Sequence, residues 1–321
     1  MKRMLALDRA RFSPEGGSLI LHVPGIGEAA ALATALLWAF TAVFFTLAGQ
    51  RAGAMAVNRT RLLMAVVLLG ATHVLQTGAL LPFDAPVAAW VWLGLSGLVG
   101  LSLGDSFLFR ALLDLGPRRA MLVMAAWPIF SSLLALLLLG ERLLLREAAG
   151  ILLTVAGIAW VILEGKRPED GPDGSRLGVG VAFALGGALC QALGVVLAKE
   201  GLRSGMPALS GTLIRMVVAA AGLWTVTPLL KSRGSVSDIF RDGRAMALTA
   251  AGAVTGPFLG VWLSLVAVAH AKVGVASALM ALVPILILPI VRVVFHERIS
   301  LRAVLGTAAS IAGVLLLTAT S

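Results

Sequence analysis

The sequence has little charge: Asp, Glu, Lys and Arg make up 13% of its 321 residues, about half the share found in a soluble domain. Hydrophobic residues make up 59%, and the mean hydropathy is +0.97. These values exclude a water-soluble globular protein. The net charge is +10, but the basic residues are dispersed at the ends of apolar runs. We therefore expect anionic lipid headgroups as their partners, and no nucleic acid.

A single cysteine, Cys190, excludes an intrachain disulfide and a thiolate-bound metal cluster. Enzyme motifs are also missing, because there is no Walker A loop, GxSxG or HExxH. Residues 102–105 (SLGD) are close to the GxGD of intramembrane aspartyl proteases, but no second aspartate lies within an apolar run to complete a dyad. We therefore expect no enzyme, no metal and no cofactor.

Long apolar runs make up most of the chain. Each is long enough for a membrane-spanning helix, which needs about 20 apolar residues. Helices are predicted over barrel strands because alternating segments of about ten residues are absent. The ten runs lie at residues 28–48, 60–78, 87–112, 118–139, 144–163, 177–198, 208–230, 245–268, 274–295 and 301–318.

Two polar segments divide the chain. Residues 1–27 are basic, and their apolar stretch is too short for a signal peptide, so they are predicted to form an N-terminal tail. Residues 164–176 are rich in Gly, Pro and charge, which is typical of a linker. This linker separates a first unit of five spans, 28–163, from a second unit of five spans, 177–318.

The two units are internal repeats. A shift of 156 residues aligns Gly100 with Gly256, Gly104 with Gly260, Pro128 with Pro284, Glu141 with Glu297 and Gly157 with Gly313. A shift of 154 residues aligns Arg61 with Arg215. Because each unit has an odd number of spans, the second enters the membrane from the opposite side. Inverted repeats of this kind are typical of secondary transporters.

Residues 128–158 and 284–314 carry the same pattern of proline, then Gly-Glu, then Gly-x(6)-Gly, except that His296 replaces the glycine before Glu297. These segments resemble the ends of both halves of EamA-type members of the drug/metabolite transporter superfamily. The resemblance covers residues 28–318. It implies an all-α integral membrane fold, in which ten transmembrane helices form two inverted five-helix repeats around a central cavity. It also implies movement of small metabolites, often outward, and names no substrate.

Charged residues within the spans are candidates for substrate binding or coupling. Glu28 and Glu147 lie at the ends of their spans, which leaves Asp105 as the only acidic residue inside a predicted span. A charge at that depth costs about 2.5 to 3.5 kcal/mol unless it is paired or hydrated. We expect it to face the cavity, where it binds a cationic group, carries a coupling proton, or forms a structural ion pair. Arg61 and Arg215 either reach headgroups or backbone carbonyls, or bind an anionic group of the substrate.

Other candidates are polar or aromatic. Trp38, Trp127 and Trp262 lie away from the predicted membrane surfaces, where they line the cavity or pack in the core. Gln191 is a weaker cavity candidate, and so is Ser264. His73 fits hydrogen-bonded packing better than a proton relay.

Proline residues predict bends in the fourth span of each half. Pro128 and Pro284 remove a backbone hydrogen bond each. We expect them to act as matched hinges that let these spans move against the cavity.

These observations predict a secondary transporter that moves a small organic metabolite or amphipathic compound, as an exporter, by alternating access in a bacterial or archaeal cytoplasmic membrane. The alternative is a membrane-embedded binding or assembly subunit with the same fold that does not transport. Of the 26 lysines and arginines, 16 are assigned to one side and 9 to the side of the termini, and Arg215 is counted with its span. The positive-inside rule therefore places the termini outside, whereas the resemblance implies termini in the cytoplasm.

Overall fold

The computed structural model describes residues 25–139, 145–164, 174–226, 236–271, 273–297 and 299–318. The predicted N-terminal tail up to residue 24, and most of the predicted linker, lie outside these ranges. Within them the secondary structure is helical, with no strand.

The helices follow one another with short breaks. In the first half they are α1 (Ile26–Ala52), α2 (Ala54–Thr77), α3 (Val87–Ser96), α4 (Asp105–Met124), α5 (Trp127–Leu139) and α6 (Leu145–Glu164). In the second half they are α7 (Gly174–Leu202), α8 (Ala208–Val226), α9 (Val236–Arg241), α10 (Gly243–Ala253), α11 (Val261–His270), α12 (Val273–Met280), α13 (Val283–Val294) and α14 (Leu301–Thr318). Two π-helical segments, Gly97–Gly104 and Val254–Gly260, join α3 to α4 and α10 to α11.

Seven helical stretches in the described residues are long and apolar enough to cross a membrane, and shorter apolar helices lie at Ala148–Val161 and Leu301–Leu316. The protein is therefore an all-α, multi-pass membrane protein. Where the structure describes them, the ten predicted apolar runs fall on helices, apart from single end residues and the breaks in the fourth span of each half. The number of ten spans stays a prediction.

The fourth span of each half is not the continuous helix that its apolar run predicts. Helix α4 ends at Met124 and α5 begins at Trp127, while α12 ends at Met280 and α13 begins at Val283. Each break therefore lies just before a proline, Pro128 or Pro284. A proline in the first turn of a helix is favourable, because its missing N–H has no partner there in any case.

A second break separates the third and fourth spans of the first half. Gly116 has φ 75° and ψ 164° within the stretch Val87–Met124. This conformation is open to glycine and strained for other residues. The chain therefore turns at Gly116, between the predicted spans 87–112 and 118–139.

The two halves pack on each other reciprocally. Helix α1 contacts α10 and α11 of the other half, and α7 contacts α3 and α4 in the same way. Helices α2 and α8 contact each other, as do α6 and α14. Because each half contributes equivalent helices, the space between them is lined by both.

The glycine pattern that ends each half forms the contact between α6 and α14. A Cβ atom at Gly157 would lie 2.5 Å from the backbone nitrogen of Ser310. A Cβ atom at Gly313 would likewise lie 2.5 Å from the backbone nitrogen of Thr154. Thr154 and Ser310 are equivalent positions of the repeat, because they are 156 residues apart. Close helix packing through small residues is typical of membrane proteins. The pattern therefore has a structural role.

Candidate functional site

A cavity lies between the two halves. Its walls come from α1, α2, α4 and α5 of the first half and from α7, α8, α11, α12 and α13 of the second. The charged residues among its lining are Arg61, Asp105 and Arg215. Apolar walls with a few polar groups are typical of a small-molecule site.

The third span of each half widens into a π-helix beside the cavity. Leu101 in the first π segment lines the cavity, and so do Gly256 and Pro257 in the second. Asp105 and Val261, the first residues after these segments, also line it. Short π-helical segments occur often at functional sites. Neither segment was predicted from the sequence.

Asp105 and Arg61 form an ion pair at the cavity wall. Nη2 of Arg61 donates to Oδ2 of Asp105 and, at 3.2 Å, to the carbonyl oxygen of Leu101. Its Nε donates to Oδ1 of Asn58 at 2.9 Å, and Nδ2 of Asn58 donates to Ser106 Oγ at 3.0 Å. Three acceptors therefore hold the guanidinium in one place.

Burial excludes one of the interpretations of Arg61. Its side chain is 3% exposed and that of Asp105 is 15% exposed. Arg61 therefore does not extend to lipid headgroups; it pairs with a carbonyl, as the sequence allowed, and also with Asp105. Its guanidinium carbon lies 5.6 Å from the ring centre of Phe45 and 5.1 Å from that of Phe109, within the range of cation–π attraction.

Arg215 has the same burial without the same partners. It is 4% exposed and lines the cavity. Its Nε has no hydrogen-bond partner, and it forms no ion pair with any residue that the structure describes. Burial also excludes contact of Arg215 with headgroups. The position equivalent to Asp105 in the second half is Val261, which offers no charge.

Two of the three candidate tryptophans line the cavity. Trp38 and Trp127 do so, and Gln191 and Ser264 add neutral polar groups. Trp262 is not among the lining residues: it is 2% exposed, packs 6.1 Å from the ring of Phe258, and its Nε1 has no partner among the described residues. Of the two alternatives for Trp262, lining the cavity or packing in the core, its position favours core packing. The indole faces the packed interior because α11 presents Val261 and Ser264 to the cavity instead.

The proline pair is divided between cavity and core. Pro284 lines the cavity together with Ala281 and Val283. Pro128 is buried but is not among the lining residues, although Trp127 beside it is. Their role as hinges stays a prediction.

His73 has the packing role that its sequence context favoured. Its Nδ1 lies 2.7 Å from the carbonyl oxygen of Ala79, and its Nε2 lies 3.1 Å from Ser210 Oγ. These contacts join α2 to α8 and to the turn after α2. His73 is outside the cavity lining.

Several lining residues were missed by the sequence analysis. Phe45 and Phe109 pack with ring centres 4.8 Å apart beside Arg61, and Met121, Met124 and Met280 also line the cavity. In an apolar chain nothing separates such residues from those that face lipid. The only signal was helical spacing, since Phe109 lies one turn after Asp105.

Comparisons with known proteins agree with this architecture. The EamA-like transporter family matches residues 25–163 and, a second time, residues 178–319. No curated protein matches the chain. One crystal structure of a protein has 22% sequence identity and a TM-score of 0.65 over 92% of this chain and 96% of its own. That similarity supports the fold alone. The double match covers most of the chain and confirms the internal repeat, so the chain belongs to the EamA-like transporter family of the drug/metabolite transporter superfamily.

Proposed function

We propose that the protein is a secondary transporter that moves a small organic compound outward across the membrane by alternating access. The observation that carries the proposal is the cavity itself, because helices of both repeats line it and its walls are apolar with few polar groups. A cavity placed between two repeats opens to one side when the repeats tilt one way and to the other side when they tilt back.

The proposal includes ten spans arranged as inverted repeats. The reciprocal packing of α1 on α10 and α11, and of α7 on α3 and α4, supports this arrangement. The breaks before Pro128 and Pro284 give each half a fourth span that can bend beside the cavity. We place the protein in the cytoplasmic membrane of a bacterium or archaeon, with membrane lipids around its outer surface.

The site in this proposal consists of a charged end and an aromatic wall. Asp105 and Arg61 form the charged part of the site. Either Asp105 carries a coupling proton, or the ion pair holds the helices that shape the site. Trp38 and Trp127, with Gln191 between the halves, contact the body of the compound.

Release of solutes from proteoliposomes tests the function. The vesicles hold a mixture of small organic acids, amines and neutral compounds, and mass spectrometry follows what each vesicle population loses. We expect more release than from protein-free vesicles that hold the same mixture. No release of any compound would favour the alternative, a binding or assembly subunit that does not transport.

A blocking experiment shows whether the cavity is the route. In a Cys190→Ala background, Ser264→Cys places a thiol in the cavity lining, and a bulky methanethiosulfonate reagent should then stop the flux. Leu75→Cys is the matched control, since Leu75 is 83% exposed on the outer surface. Equal inhibition of both variants would contradict a route through the cavity.

A further inference from the structure

We infer that Arg215 binds the negatively charged group of the transported compound, so that the substrate is a monoanionic organic molecule with an apolar body. The inference rests on the proposed function and gives it a substrate class. The two halves differ in the partners of their equivalent arginines, Arg61 and Arg215.

Arg61 and Arg215 occupy equivalent places but differ in their partners. Arg61 is neutralised by Asp105 and also donates to Asn58. At the equivalent places the second half has Val261, which is apolar, and Thr212, whose hydroxyl donates to the carbonyl oxygen of Ala208 in its own helix. The substitutions that distinguish the second half thus remove the partners of its arginine.

A buried arginine that has no carboxylate of its own needs an anion. The guanidinium stays protonated at any physiological pH. Leaving a charge buried and uncompensated is strongly unfavourable, and Arg215 is 4% exposed with an unpaired Nε. Asp105 is close enough to act on Arg215 electrostatically, but it is already paired with Arg61. The cavity contents are therefore left to supply a full counter-charge for Arg215.

The charge of the cavity sets the charge of the ligand. Among the residues that the structure describes, the charged lining residues are two arginines and one aspartate, which gives this part of the lining a net charge of +1. Asp105 cannot neutralise both arginines, whichever one it approaches. One negative charge on the ligand restores neutrality.

The other lining residues indicate an organic anion. Trp38 and Trp127 supply aromatic faces, and Met121, Met124 and Met280 supply adaptable apolar contacts. An inorganic anion would leave these surfaces uncovered. A carboxylate suits Arg215 because a guanidinium binds it through two parallel hydrogen bonds.

Three compounds of one shape and different charge test the inference on the full chain: 3-phenylpropionate, 3-phenylpropanamide and 3-phenylpropylamine. Quenching of tryptophan fluorescence measures their binding. We expect the acid to bind at least about tenfold more tightly than the amide or the amine. Equal or tighter binding of the amide or amine would overturn the inference, as would displacement of the acid by equimolar chloride.

Variants of Arg215 test whether this residue causes the preference for the acid. Arg215→Gln should reduce acid binding about tenfold or more and remove its advantage over the amide, while Arg215→Lys should keep part of it because the charge remains. Arg110→Gln is the matched control, since Arg110 is exposed and pairs with Asp114 away from the cavity. Unchanged acid binding in Arg215→Gln would also overturn the inference. If Arg215→Gln does not fold, the binding of the three compounds to the wild type and to Arg215→Lys still tests the inference.

The release assay separates this inference from the proposed function. Release of amines or neutral compounds in preference to acids would refute the substrate class and leave transport standing. Acid binding that depends on Arg215, without release of any compound, would refute transport and leave the anion site standing.

Discussion

At the scale of single residues, the site depends on how three charges share a largely apolar cavity. Arg61 and Asp105 neutralise each other, and Asn58 and the Leu101 carbonyl fix the orientation of the guanidinium. A buried ion pair contributes little net stability, but removal of one partner is costly because the other charge remains. This asymmetry gives a direct test of the pair.

Asp105→Asn should lower the free energy of unfolding by about 3 to 5 kcal/mol, because Arg61 then lacks its counter-charge. The double variant Asp105→Asn, Arg61→Gln should recover part of this loss, because neither charge is then present. Thermal unfolding in detergent measures both. Additive losses in the double variant would show that the two side chains do not act as a pair.

Transport by the Asp105→Asn variant separates the three roles that the sequence left open. A coupling carboxylate predicts loss of pH-driven accumulation with exchange retained. Direct binding of a cationic group predicts weaker substrate binding at every pH. A purely structural pair predicts less protein and a lower melting temperature, with the wild-type pH profile in the transport that remains.

His296 adopts a conformation that favours glycine. Its φ is 53°, and its side chain is exposed, so no packing compensates for the strain. His296→Gly should therefore raise stability by about 0.5 to 1 kcal/mol, whereas His296→Val should lower it. Thermal unfolding of the two variants and the wild type gives the order of their stabilities. A valine variant as stable as the glycine variant would show that this backbone conformation is not maintained.

Conspicuous residues could be found from the sequence, and their partners could not. Asp105 stood out as the only acidic residue within a span, and His296 as a departure from a repeated pattern. The ion pair between α2 and α4, and the missing hydrogen-bond partner of Arg215 Nε, depend on how the helices approach one another. A single sequence contains no measure of that approach.

At the scale of helices, the two breaks before Pro128 and Pro284 are the features best placed to permit movement. Each proline replaces the residue whose N–H would otherwise bond back across the break. The apolar runs predicted these spans correctly as helical, and the prolines predicted bends in them. The full interruption of each helix was not predicted, because alanine and leucine at the breaks are good helix formers. The π segments were missed for a similar reason.

Pro128→Ala and Pro284→Ala should each slow the release of solute while the protein still folds, because a restored backbone bond stiffens the break. Pro289→Ala is the matched control: Pro289 lies in the same helix as Pro284 but is exposed and does not line the cavity. Full activity in the double variant would refute the hinge. A fall in detergent stability in parallel with flux would show that the breaks only shape packing.

Gly157→Ala should destabilise the contact between α6 and α14, because the new Cβ would lie 2.5 Å from backbone atoms that cannot move aside. Gly178→Ala is the control, since that helical glycine has open space around its Cβ position and gains about 0.5 to 1 kcal/mol from helix propensity. Melting temperatures should therefore shift in opposite directions. A neutral Gly157→Ala would mean that the two helices separate easily.

At the scale of the whole molecule, duplication determines where the site lies. The repeat could be predicted because identical residues recur in the sequence at a shift of 156 residues. The crossing of α1 and α7 into the opposite halves could not, because inverted repeats can lie side by side or interleave. Interleaving brings α1, α4, α7 and α11 to one cavity, and small differences between the halves, such as Asp105 against Val261, then give that cavity its charge.

The topology of the chain follows from the same duplication and can be tested by labelling. In a Cys190→Ala background, Ser232→Cys and Ser321→Cys place single thiols at positions outside the described residues, in the predicted loop between the seventh and eighth spans and at the C-terminus. With ten spans, a membrane-impermeant thiol reagent must reach these two positions from opposite sides. Labelling of both from one side would make the ten-span arrangement wrong, and with it the inverted repeat.

The side on which Ser321→Cys reacts also decides between two conflicting predictions of orientation. The excess of lysine and arginine on the loops opposite the termini predicts termini outside the cell, whereas the family resemblance predicts termini in the cytoplasm. Inverted repeats distribute positive charge over both faces, which weakens the first prediction. We therefore expect Ser321→Cys to react only after the membrane is opened and Ser232→Cys to react in intact cells. The reverse pattern would show that the charge of the loops determines the orientation.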